Sequence, residues 1–277
     1  MLITLRSIFL GVDDTDRRIL LYLFRDGRIS LHRISKVTRI DYSTIKYRFK
    51  YLRERGILRG FQLYVNPAFF GLRRVFLLSS ESIPRLANMA LEFRCIEGPT
   101  LYEFACGSKQ ELNDLCSKYQ NTILECWLPS RIHSEKISRF DYEIIKALNS
   151  DPRAPNPVIA KVLKVPTKQV KKHIEFLYSN NYIRVFPDTQ IDGSSLLMFT
   201  LISMRPLHVR SLLLNNLVWE YRDKKKGVFV CCFDGLQSLT GILHQSKELD
   251  PSIRVLVKSR YAVYDYYNNS LTAGRSV

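Results

Sequence analysis

Apolar residues at Ile19, Leu20 and Leu23 repeat at the i, i+1, i+4 spacing of one helical face, and Asp13, Asp14, Thr15 and Asp16 precede them as candidate caps. This predicts a first helix. After the turn Asp26-Gly27-Arg28, a short helix is expected from Leu31 to Val37 with Ile34 and Val37 inward, followed by the tight connection Thr38-Arg39-Ile40. A third helix, capped by Asp41 or Ser43, turns Ile45, Phe49 and Leu52 to the core and ends at Gly56, where glycine takes the left-handed conformation cheaply. Its other side is Ser43, Thr44, Lys46, Tyr47, Arg48 and Lys50. The stretch Ile57 to Val65, with Gly60 inside it, has strand composition and is expected to fold as a small hairpin.

The same pattern returns further along the chain. An ungapped shift of 125 residues aligns Asp16 with Asp141 and keeps the hydrophobic phase through Phe61 and Phe186. Identical pairs in this register include Ile19/Ile144, Leu23/Leu148, Asp26/Asp151, Arg28/Arg153, Ile34/Ile159, Val37/Val162, Lys46/Lys171, Leu52/Leu177 and Arg59/Arg184. In the second copy Ile144, Ile145 and Leu148 mark the first helix, Ile159 and Val162 the second, and Val170, Ile174 and Leu177 the third. The outer side of that third helix is Lys168, Gln169, Lys171, Lys172 and His173, and Tyr182 to Phe186 is the second hairpin. Three helices closed by a small β-wing, twice over, imply two winged helix-turn-helix units.

A different rhythm follows each wing. The first half has strand-like Val75 to Leu78, then a helix, strands near Phe93 to Glu97 and Leu101 to Cys106, a helix from Gln110 to Tyr119, and a strand from Ile123 to Leu128. The second half has Leu197 to Ile202, a helix, Val218 to Tyr221, Val228 to Phe233, a helix from Leu236 to Gln245, and Ile253 to Val257. Both read as βαββαβ, the ferredoxin-like module. The fold class expected is therefore α+β, with two winged helix-turn-helix domains (1–66 and 134–192) alternating with two ferredoxin-like domains (67–133 and 193–267), and a flexible tail at 268–277. The apolar start, Leu2 to Leu10, is an added strand or a docking segment.

Charge narrows the function. The 277 residues carry a formal net charge of +16, which points to a polyanionic partner, nucleic acid before an acidic membrane surface. The excess sits where the helices are. Residues 1–66 hold 14 Lys and Arg against 6 Asp and Glu, residues 67–130 hold 6 against 7, and residues 131–192 hold 11 against 7. No apolar run approaches the roughly 20 residues that span a bilayer, so no membrane partner and a cytoplasmic, nucleoid-associated location are expected. The six cysteines, Cys95, Cys106, Cys116, Cys126, Cys231 and Cys232, lack zinc-site spacing and read as buried thiols. His32, His133, His173, His208 and His244 are scattered, and no nucleophile elbow, P-loop or Rossmann glycine pattern occurs. No catalytic residue, cofactor or metal is expected.

The stretches DDTDRRILLYLFRDGRIS and ISKVTRIDYSTIKYRFKYLRERGILRGFQLYVNPAFFGL, with a linker strand ending near Asn66-Pro67 and Gly71, resemble the leucine-responsive and asparagine regulator family, Lrp/AsnC. The likeness extends over nearly the whole chain. It implies a transcriptional regulator in which ferredoxin-like domains pair to set two recognition helices on double-stranded DNA. This chain resembles two such protomers fused end to end, so one chain acting as a pseudo-dimer is expected to read an asymmetric site. Departures accompany the likeness: Thr38 and Leu163 stand where the family has a turn glycine, and the second recognition helix starts at Pro166-Thr167. His173 replaces the family-like Arg48. The family's Gly-x-x-Asp turn appears loosely as Gly107-Ser108-Lys109-Gln110 and Asp234-Gly235-Leu236-Gln237, which leaves an amino-acid effector open, as is further homo-oligomerisation through the ferredoxin-like domains.

The candidate DNA-binding residues are Ser43, Thr44, Lys46, Tyr47, Arg48, Lys50 and Arg59 in the first copy and Lys168, Gln169, Lys171, Lys172 and His173 in the second. Cations neutralise phosphates or reach guanine edges, and hydroxyls at the helix start lie where a recognition helix enters the major groove. Arg59 and Arg184 are wing positions suited to backbone contacts. Two other readings stay open: an architectural DNA-binding protein with low sequence preference, and an enzyme resembling the tetrapyrrole decarboxylases that share this two-part architecture. Against the enzyme, the positive charge concentrates on the helix-turn-helix.

Overall fold

A computed structural model describes residues 12–128, 137–189 and 196–268. The apolar start, His133 and the tail beyond Asn268 lie outside them. The first three helices are α1 (Asp14–Arg25), α2 (Leu31–Thr38) and α3 (Tyr42–Glu54). Asp13 and Asp16 form a capping box on α1, and Asp41 caps α3 by accepting the Ser43 N–H at 2.8 Å. Gly56, at φ 68°, ends the unit in the left-handed region. The inward side of α2 centres on the buried Ile34, flanked by the half-buried Leu31, Ser35 and Thr38, so Val37, expected inward, is 47% exposed, and its counterpart Val162 is 67% exposed.

The wings differ from expectation. Gly60 makes no turn, because β1 runs unbroken from Leu58 to Val65 with only a register shift near Gly60. Its partner comes from the other repeat: β6 (Ile183–Thr189) pairs with it antiparallel, Leu63 opposite Val185 and Tyr64 opposite Arg184. Each predicted hairpin is thus half of one shared ribbon, which satisfies both strands' backbone groups across the two repeats. The ribbon also divides its side chains. Leu63, Val65, Ile183 and Val185 join the core of the second helical unit, while Tyr64 and Phe186 join that of the first.

After a 3-10 turn at Pro67–Phe70 come β2 (Arg73–Ser79), β3 (Met89–Cys95), β4 (Thr100–Cys106), α4 (Lys109–Lys118) and β5 (Ile123–Trp127). The second helical unit is α5 (Arg139–Ser150), α6 (Asn156–Leu163) and α7 (Thr167–Ser179). Beyond β6 lie β7 (Leu197–Ser203), α8 (Pro206–Leu213), β8 (Leu217–Arg222), β9 (Gly227–Phe233), α9 (Leu236–Leu249) and β10 (Arg254–Val263). The second half has the full βαββαβ order. In the first half the helix expected between β2 and β3 is absent: residues 80–88 are irregular, and Pro84 among them lacks the N–H a helix needs and disfavours helical backbone at Ile83. The segment still covers the sheet, since Ile83 is buried with Val75, Tyr102 and Phe104, and its N–H donates to the Tyr102 hydroxyl at 2.8 Å.

Eight strands hydrogen-bond in the order β5-β2-β4-β3-β10-β7-β9-β8. β10 joins the halves: Arg254 to Val257 pair with β7, and Lys258 to Val263, beyond the predicted strand end, pair with β3. Apolar side chains from the two halves meet, with Trp219 lying 5.8 Å from Phe76 and 6.0 Å from Phe93 between ring centroids. Inside this contact Arg74 and Glu103 form a buried ion pair, and the Tyr64 hydroxyl donates to Glu103 at 2.9 Å. Burial pushes the Glu103 carboxyl up against the pull of Arg74. The thiol expectation holds for Cys95, Cys106, Cys231 and Cys232 but not for Cys116 and Cys126, which are half-buried and exposed with sulfur atoms 3.8 Å apart.

Candidate nucleic-acid interface

Two helices present polar, basic faces because their apolar residues fall on a single stripe. In α3, Ile45 and Leu52 are fully buried, leaving Ser43, Thr44, Lys46, Tyr47 and Lys50 exposed on the far side. Tyr47 is 65% exposed, without the cover that a core aromatic would have. In α7, Val170, Ile174 and Leu177 anchor the helix and Lys168, Gln169, Lys171 and Lys172 stand exposed. Lys50 and Lys171 each lie near an acid one turn on, Glu54 at 3.4 Å and Glu175 at 3.7 Å, exchangeable surface pairs that leave both cations available. Hydroxyls, amides and cations along one helix face are the groups that can meet phosphates and base edges in a groove about 12 Å wide.

Three of the predicted residues are engaged within the protein instead. Arg48 turns inward: its Nε donates to Asp16 at 2.9 Å, and its guanidinium also pairs with Asp13 at 3.1 Å. The hydrogen bond to Asp16 raises the Arg48 pKa above its ordinary value. His173, at the equivalent place, meets Asp141 at 2.7 Å. Asp16 and Asp141 are fully buried capping-box residues, so each also ties its first helix to the recognition helix, and an unpaired carboxylate there would be costly. Arg59 bonds Asp188 at 2.7 Å across the ribbon, while Arg184 reaches Asn181 at 3.4 Å. The signal for Arg48 was in its spacing, three residues after Ile45 and four before Leu52, at the border of the buried stripe.

Sequence reading missed the residues that fix the two units together. Arg28 donates to the carbonyls of Pro152 and Ala154, both at 2.7 Å, and to Asn156 Oδ1 at 3.1 Å. Reciprocally, Arg153 donates to the Ile29 carbonyl at 2.7 Å and lies over the Phe61 ring at 4.6 Å. These arginines are equivalent in the repeat, and their identity was the available clue. Burial lowers the pKa of both guanidinium groups, which stay charged as arginines do. A cavity of about 430 Å³ is lined by Phe70, Leu72, Asn88, Gly107 and Glu111 of the first half and by Tyr266 of the second. Among the described residues no helix is long and apolar enough to cross a membrane.

The family-model match agrees with the two-unit reading. A family model described as winged helix-turn-helix DNA-binding matches residues 12–59 and again 137–184. The chain is 40% identical over 81 residues to the HTH-type transcriptional regulator FL11 of Pyrococcus abyssi, covering 29% of this chain and 54% of that one. It is 43% identical over 61 residues to the HTH-type transcriptional regulator AldR of Mycolicibacterium smegmatis, covering 22% and 36%. The chain thus spans about half the length of the FL11 relative and less of AldR. The crystal structure of the siroheme decarboxylase NirDL is similar across 94% of this chain and 98% of that one, at 8% identity and a TM-score of 0.45.

Proposed function

We propose that this chain, which carries two winged helix-turn-helix DNA-binding domains in one polypeptide, is a tandem protein of the Lrp/AsnC type and a sequence-specific transcriptional regulator. One chain acts as a pseudo-dimer on an asymmetric DNA site. The observation that carries this reading is the pair of exposed basic helix faces, on α3 and α7, held in one body by the reciprocal Arg28 and Arg153 contacts. Ser43, Thr44, Lys46, Tyr47 and Lys50 on one helix, and Lys168, Gln169, Lys171 and Lys172 on the other, are the contact set. Because the two sets differ, the half-sites differ, and because the units are pinned together, their spacing is fixed. The role is binding without catalysis, exerted by occupancy near a promoter. The cavity beside Gly107 is the first place to look for a small effector of the amino-acid class.

Selection of bound sequences from random duplex DNA tests the proposal. It is expected to return a consensus with two unlike halves, and inserting about five base pairs between them, half a helical turn, should abolish tight binding. Enrichment of no sequence, or of perfect inverted repeats alone, would overturn it.

A further inference from the structure

Left-handed backbone is where glycine costs least and asparagine is tolerated, and the described residues follow that rule except at one repeated place. Gly56, Gly71 and Gly98 have positive φ, and so does Asn181, the repeat counterpart of Gly56. The remaining positive-φ residues among those described are Arg39, at 58°, and Lys164, at 55°. They are also counterparts in the repeat. Each ends the second helix of its unit and opens the turn into the recognition helix, so a cation occupies the strained position in both copies. Both side chains are exposed, and among the described residues neither has a hydrogen-bond or ion-pair partner, unlike Lys50, Arg59 and Lys171.

We infer that Arg39 and Lys164 are phosphate-contact residues, one in each unit, which grip the DNA backbone beside the recognition helices. The inference rests on the DNA-binding reading and extends it to residues outside the α3 and α7 faces. Backbone strain at an exposed, unpartnered cation, present twice, is accounted for when the side chain has work outside the folded chain. The competing account is internal: a cation at a helix C-terminus interacts favourably with the helix dipole. The two accounts predict opposite results for glycine. Removing the cation and the strain together leaves stability unchanged or raised if the side chain serves DNA, and lowers it if the side chain serves the helix end.

The experiment uses the full chain with Arg39→Gly, Lys164→Gly, the double variant and Arg39→Lys. Affinity is measured against salt on a duplex of the selected consensus and on a random-sequence duplex of equal length, with thermal unfolding alongside. Each glycine variant is expected to bind both duplexes on the order of 5–10-fold more weakly at about 0.1 M salt and to flatten the logarithmic salt slope by about 1. Arg39→Lys is expected to retain both, and melting temperatures of the glycine variants should hold or rise. A double variant with wild-type affinity and slope, or a glycine variant that melts lower while binding normally, would overturn the inference. A wild-type chain that binds neither duplex would instead retire the DNA-binding reading itself.

Discussion

The two helix-turn-helix units share one backbone plan and one register, yet the first is capped and charged where the second is not. Ser30 and Asp41 cap α2 and α3 with side-chain hydrogen bonds, while their counterparts Pro155 and Pro166 make none. On the second helix the first unit exposes His32, Arg33 and Lys36, and the second exposes Pro157, Val158 and Lys161. Arg48 gives the buried Asp16 a permanent positive partner, whereas Asp141 faces His173, an imidazole that is charged only when protonated. The lesson is that a repeat retains what its own packing needs, the apolar stripe and the helix-to-helix carboxylate. The end caps and the charged partner of that carboxylate are free to differ.

Several substitutions would break or sharpen that comparison. The largest effect is expected from Arg28→Ala combined with Arg153→Ala, which removes charge-assisted bonds to carbonyls of the opposite unit; a loss of about 4 kcal/mol in denaturant unfolding is expected. Loss below 1 kcal/mol would mean that the units are held by the ribbon and the sheet alone. Arg48→Ala should come next, at about 3 kcal/mol, because it takes the charged partner from the buried Asp16 and leaves it the single Asp13 N–H bond at 3.2 Å. His173→Ala should cost less, about 1 kcal/mol, since Asp141 keeps its bonds to Ser138. Equal losses at the two positions would contradict the asymmetry.

On DNA, Lys46→Ala is expected to weaken binding several-fold more than Lys168→Ala, on the order of 10-fold against 3-fold at about 0.1 M salt, because the first unit has more surrounding cations to hold it in register. Titration of each variant against the selected duplex measures this, and a reversed order would shift the dominant contact to the second unit. The smallest effect should come from Pro166→Asp, which restores the cap that Asp41 provides in the first copy. A gain of up to about 1 kcal/mol is expected, and a loss would show that the rigid proline start matters more than the missing cap.

Local pattern carried the helices well, because a 3.6-residue period is written within each segment. Ile45 and Leu52, Val170, Ile174 and Leu177 all lie inward as their spacing requires. The shift of 125 residues also made the two-unit organisation legible before any fold was known. What stayed hidden was the choice of distant partners. Nothing in the composition of Leu58 to Val65 says whether a strand turns back on itself or pairs with Ile183 to Thr189, and β10 gave no sign that its last residues cross to β3. The missing helix at 80–88 was foreshadowed by Pro84 alone. In the candidate site, exposure of Lys46 and Lys172 followed from periodicity, whereas for Arg48 the spacing marked only a border position and not the direction of its turn. Long charged side chains at the edge of a buried stripe can go either way, and what decided this one was a carboxylate on another helix.

The most direct test of the central claim, that one chain reads two unlike half-sites, is competition binding between the selected site and two synthetic palindromes, each built from one of its halves. The asymmetric site is expected to bind on the order of 10-fold more tightly than either palindrome, since each palindrome mismatches one unit. If a palindrome binds as tightly as the asymmetric site, the two recognition helices do not read different sequences, and the account of the fused pseudo-dimer is wrong.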